Sequence, residues 1–104
     1  MEKLIFKVAE NIMGDFNYIG FRKWIGESPA LGTDIYGNYI LVKPDEYMIF
    51  GFSDKPDVAN WKNEISKKEF ESGGDGTLLG CGELAVIKLV LSTSPNIAPV
   101  EDTK

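Results

Sequence analysis

The sequence predicts an α+β domain: a small antiparallel sheet of about four or five strands packed against one main helix at about residues 57–70. Three observations carry this expectation. Tyr39–Lys43 and Tyr47–Phe52 are aromatic and β-branched runs separated by Pro44-Asp45, the pattern of a hairpin. Val58, Trp61, Ile65 and Phe70 form a helical stripe. Leu84–Leu91 is apolar on both faces except at Lys88, which suits a central strand.

The elements follow in order. Leu4, Ile5, Val8, Ala9 and Ile12 share one helical face, with Lys3, Lys7, Glu10 and Asn11 opposite and Gly14 at a C-cap position. A strand with Leu4, Phe6 and Val8 on one face is the alternative and is favoured by β propensity, but Ile5 breaks its alternation; residues 3–13 lean to helix, with a fifth strand left open. Phe16–Ile25 reads as a strand in which Gly20 marks a bulge or a close approach. Glu27–Asp34 reads as a loop around Ser28-Pro29 and Gly32, and Tyr36-Gly37-Asn38-Tyr39 as a turn. Asp57 is placed to cap the main helix, whose wet face holds Lys62, Glu64, Lys67, Lys68, Glu69 and Glu71. Ser72–Gly76 ends that helix, and residues 73–82 read as a mobile connection. With Pro95 and Pro99 among small and charged residues, 92–104 is expected as a mostly disordered tail behind a single globular domain at 1–91.

Composition excludes several kinds of chemistry. The chain has no histidine and one cysteine, Cys81. Without histidine there is no Cys-His pair and no Ser-His-Asp triad. One cysteine forms no internal disulfide and anchors no zinc site, so no metal and no cofactor are expected, and a reducing, cytoplasmic compartment is. The net charge of −5 and a single arginine, Arg22, argue against nucleic acid as partner. No run approaches the length of a membrane span, and the N-terminal residues lack the pattern of a signal peptide.

One string carries a family likeness. Gly73-Gly74-Asp75-Gly76-Thr77 resembles the loop of NAD kinases and related lipid kinases, whose glycines let the backbone approach a nucleotide phosphate. The resemblance implies Asp75 as catalytic acid/base, with Gly73, Gly74, Gly76 and Thr77 lining the nucleotide. With Leu78 and Leu79 the string spans seven residues of 104. The preceding Lys67–Ser72 is charged and helical in character, where that family has a buried apolar strand. The string is therefore read as a coincidental turn, and no enzyme is expected.

The aromatic residues are the other signal. Exposed aromatics give interfaces area at little entropic cost, and Tyr18, Trp24, Tyr36 and Trp61 are the candidates for partner binding. The expected function is a non-enzymatic protein-binding module: a small inhibitor, an immunity-type protein or an accessory regulator acting through a surface patch. Homo-oligomers are compatible with the same patch. The alternative is a small-ligand or nucleotide-binding protein that uses residues 73–82 and stacking aromatics. Location separates the two. A ligand needs the loop and the aromatics in one concavity, whereas a protein partner needs an exposed patch.

Overall fold

The structure is a computed structural model and describes residues 3–8, 16–72 and 76–100. Its elements in chain order are β1 (Ile5–Val8), β2 (Tyr18–Trp24), β3 (Ala30–Thr33), β4 (Tyr39–Val42), β5 (Tyr47–Phe52), β6 (Glu64–Ile65), α1 (Lys67–Glu71), β7 (Thr77–Gly82), α2 (Leu84–Thr93) and β8 (Ile97–Pro99). Five strands lie in the order β7-β5-β2-β1-β8, each pair antiparallel, and β6 adds to β2 in parallel. β3 and β4 form a separate two-stranded ribbon. The α+β class is compatible with this architecture. Among the described residues the main sheet has six strands, more than expected, and the helix expected at 57–70 is much shorter.

β2 organises the sheet because its seven residues serve three neighbours. One side pairs with β5 along Tyr18–Lys23. The other is shared: β1 takes Tyr18–Gly20, and β6 takes Lys23 and Trp24. Asn63 sits at the junction. Its side-chain oxygen accepts the Leu4 N–H at 3.0 Å, and its carbonyl accepts the Lys23 N–H at 2.8 Å. Lys3 Nζ donates to the carbonyls of Val58 and Ala59, which fastens the 58–63 segment over the same place.

Alternation along the strands divides the core between the two sheet faces. Phe6, Val8, Ile19 and Phe21 pack with Ile87 of α2 on one face. Trp24, Met48, Phe50 and Leu78 meet Ala30 and Val42 of the ribbon, together with Ile65 and Phe70, on the other. A smaller cluster of Ile5, Val58 and Trp61 extends this second face.

The helix expected over 57–70 is confined to Lys67–Glu71. Its cap is Ser66, not Asp57: the Ser66 hydroxyl accepts the Glu69 N–H while the Glu69 carboxylate accepts the Ser66 N–H. Asp57 instead accepts from the Asn60 side-chain amide at 2.6 Å. Val58, Trp61 and Ile65 are buried as their spacing suggested. They reach the core through a turn, in which the Trp61 N–H bonds the Val58 carbonyl, and then an extended stretch, because backbone bonds to β2 outcompete a helix that Asn60 and Asn63 favour poorly.

The expected hairpin of 39–43 with 47–52 is replaced by two other pairings. β4 pairs with β3, inside the stretch read as a loop, while β5 lies between β2 and β7. The chain changes layer at Lys43–Glu46. There Asp45 is the only described non-glycine residue with positive φ, at 71°, and the Trp24 backbone bonds both Asp45 N–H and Glu46 C=O. Leu84–Leu91 is helix rather than strand. Ile5–Val8 is strand rather than helix, and residues 9–13 lie outside the described ones. Residues 77–82, read as loop, form β7. Part of the expected tail is ordered as well. Ile97–Pro99 pairs with β1, and the Val100 N–H bonds the Ile5 carbonyl.

Candidate functional site

The ribbon presents the most unusual surface. Its turn is built by Asp34, whose carboxylate accepts the N–H groups of Tyr36 and Asn38 at 2.9 Å each, with Gly37 at φ 83° closing the bend. These bonds, that from the Asn38 N–H foremost, hold the Asp34 carboxyl below its ordinary range. The register pairs Ala30 with Val42, Leu31 with Leu41, Gly32 with Ile40 and Thr33 with Tyr39. Ala30 and Val42 are buried in the core. The opposite face carries Leu31, Leu41, Thr33 and Tyr39, and Leu31 is 60%, Leu41 56% and Tyr39 77% exposed. Ile35 and Tyr36 in the turn add 54% and 82%. A two-stranded ribbon that packs on a sheet is expected to turn polar side chains to water. This one is apolar on both faces.

A second apolar surface lies on the opposite side of the sheet. Ile87 and Leu91 of α2 turn inward, with Ile87 buried and Leu91 half-buried, while Val86, Leu89 and Val90 are each more than half exposed.

A concavity of about 580 Å³ opens between the 53–60 segment and the start of β7. Arg22, Phe52, Asp57, Trp61, Gly76 and Thr77 are among its lining residues. The Arg22 guanidinium stacks on the Trp61 ring at 3.9 Å, and its Nε donates to the Lys62 carbonyl at 3.3 Å. Trp61 Nε1 is buried and has no hydrogen-bond partner among the described residues.

The expected site residues separate. Tyr36 is exposed on the ribbon turn and Tyr18 is half-buried at the start of β2. Trp24 and Trp61 are 2% and 7% exposed and belong to the core, so neither offers a partner much surface. Trp24 Nε1 also donates to the Ser28 carbonyl at 2.7 Å. Of the glycine string, Gly76 has φ 87° and Thr77 begins β7, whereas Gly73, Gly74 and Asp75 lie outside the described residues. Leu31, Tyr39 and Leu41 were not singled out from the sequence. The available signal was Tyr39-Ile40-Leu41-Val42, four consecutive apolar residues that a strand must divide between two faces.

No three His, Cys, Asp or Glu side chains among the described residues cluster tightly enough to hold a metal ion. No described helix is long and apolar enough to cross a membrane. No protein-family model matches the chain, nor does any curated protein or solved structure.

Proposed function

We propose that the chain is a protein-binding module whose contact surface is the outer face of the β3–β4 ribbon, in the manner of a small inhibitor or accessory regulator. The observation that carries this reading is the Leu31–Leu41 cross-strand pair, held outward beside Tyr39 while the other face of the same ribbon is already packed. Contiguous exposed apolar side chains of this kind mark interaction surfaces. Tyrosine with aliphatic neighbours and no charge among them matches the composition of an interface centre. The test is affinity capture with wild-type protein and with Leu31→Thr/Tyr39→Ser/Leu41→Thr. The reading requires a stoichiometric partner held by the wild type and lost from a variant that retains its melting temperature. Equal capture by both would refute it.

A small-ligand reading is supported by a different observation. The end of the glycine string and the buried Trp61 border one concavity, next to the single arginine. Its lining also holds Asp54, Lys55 and Asp57, so its charges balance and select no anion. The ribbon carries the stronger case.

A further inference from the structure

We infer that β7 is a docking edge for an extended segment of a partner protein, which adds to the sheet as a further strand and seats one apolar side chain in a hollow beside Leu78. The inference goes beyond the ribbon surface and does not rest on it.

The two ends of the main sheet differ. β8 has three residues and ends in Pro99, which has no N–H to offer. β7 has six, Thr-Leu-Leu-Gly-Cys-Gly, with no charged residue and no proline among them. Edge strands are usually blunted by lysine, proline or a bulge. β7 has only a register shift at Leu79, where Leu78 pairs with Phe50 and Gly80 with Ile49. Among the described residues, the backbone of Thr77–Gly82 bonds to β5 alone. Its outward N–H and C=O groups form a row of donors and acceptors. The complementarity is electrostatic, and the backbone of another extended chain supplies it. An apolar surface without such a backbone does not.

A hollow of about 420 Å³ adjoins residues 76–78, between β7 and the ribbon. Phe50, Phe70 and Leu78 line it with two glycines and two threonines, and none of its lining residues is ionisable. Leu78 packs on the ribbon's side of the sheet. A strand added to β7 shares its pleat, so the residue opposite Leu78 projects to that same side, beside the hollow. The chemistry of the occupant follows: an extended backbone with an aliphatic or aromatic side chain at that position. A second copy fits less well. Paired symmetrically about the middle of β7, it sets Cys81 opposite Leu78, with Gly80 and Gly82 opposite Leu79 and Thr77, and brings no large side chain to the hollow. Its Cys81 thiol is also engaged, donating to the Leu41 carbonyl at 3.4 Å.

Titration of the full chain with blocked eight-residue peptides tests the inference. Threonine alternates with glutamine in these peptides, and one central position is leucine, phenylalanine or alanine. Amide NMR shifts and hydrogen exchange locate the site. The leucine and phenylalanine peptides are expected to bind and to slow exchange of the outward β7 amides. The alanine peptide should bind roughly tenfold or more weakly, because the side chain buried in the hollow is lost. N-methylation of one alternating set of peptide amides should abolish binding, and N-methylation of the other set should not, since only one set faces the edge. Thr77→Asp, which sets a carboxylate at the hollow, should weaken the leucine peptide by a similar factor, and Leu31→Thr on the ribbon's outer face should leave it unchanged. Melting curves establish that both variants are folded, and the peptide series decides by itself if Thr77→Asp is not. No binding at millimolar peptide, equal binding of the leucine and alanine peptides, indifference to both N-methylated sets, or shifts confined to α2 or the ribbon overturns the inference. So does protection of the β7 amides that grows with protein concentration in the absence of peptide, which puts a second copy on the edge.

Discussion

Gly20 and Trp61 share one space: a Cβ added to Gly20 would lie 2.5 Å from Cη2 of the indole. The ring lies against a bare stretch of β2 backbone, with Phe52 edge-on at 5.6 Å and the Arg22 guanidinium over it. The absence of a side chain in the middle of a strand is therefore part of the packing of a residue 41 positions later.

That relationship gives the first prediction. Gly20→Ala forces the indole to move and should destabilise the fold by roughly 1–3 kcal/mol, as overpacking does. Trp61→Ala should cost roughly 3–5 kcal/mol through lost burial and a cavity. In a Trp61→Ala background the penalty of Gly20→Ala should largely vanish, since its cause is gone. Urea unfolding of all four proteins measures the coupling, and additive effects would show that the two residues are independent.

Ser66 tests the short helix. Its hydroxyl and the Glu69 carboxylate satisfy each other's backbone N–H groups. Ser66→Ala should cost about 1 kcal/mol, while Asp57→Ala, no longer a helix cap, should cost less than that. A larger loss from Asp57→Ala in the same unfolding assay would restore the cap to residue 57.

The pH profile follows from the carboxylates. Hydrogen bonds hold Asp34, Asp57 and Glu69 below their ordinary ranges, chiefly from the Asn38 N–H, the Asn60 side chain and the Ser66 side chain respectively. A carboxyl depressed on folding stabilises the native state above its unfolded value, near 4. That stabilisation is lost as pH falls through the lower folded value. Acidification below about pH 4 should therefore lower stability progressively, and without histidine the midpoint should stay flat between about pH 5 and 8. Asp34→Asn should be less stable than wild type at neutral pH, with the gap closing in acid. A gap that widens as pH falls would reverse the assigned sign.

Ending the chain after Ser94 removes β8 and with it Ile97 and Val100, which pack in two different core clusters. The sequence alone suggested no effect on stability. The structure predicts a loss of roughly 2 kcal/mol, which in a domain of this size lowers the melting temperature by several degrees. An unchanged melting curve would show that the pairing with β1 contributes nothing.

Legibility in the sequence depended on whether a segment's neighbours were local. β2 and β5 were readable because alternation and β-branched content agreed, and the burial of Val58, Trp61 and Ile65 was readable because large apolar residues are seldom left outside. The path between those three was not, because Asn63 and Glu64 bond to strands distant in sequence. α2 was misread because it is apolar all round, a pattern that suits a buried strand equally well and says nothing of an unburied helical face. The ribbon was hidden for a related reason. Leu31 and Leu41 look like core residues in any one-dimensional pattern, and only the register shows them paired on the outside.

The pairing of β1 with β8 has a consequence in time. Phe6 lies opposite Pro99, so the sheet cannot close until nearly the whole described chain is available. Such long-range contacts place a domain among the slower two-state folders, in the millisecond-to-second range. During that interval the edge of β1 and the Ile5–Trp61 cluster lack the cover that β8 and Val100 provide. On a ribosome this edge waits for β8 to emerge, so the rate at which that strand arrives, more than the stability finally reached, sets how long the edge is open to pairing with another chain.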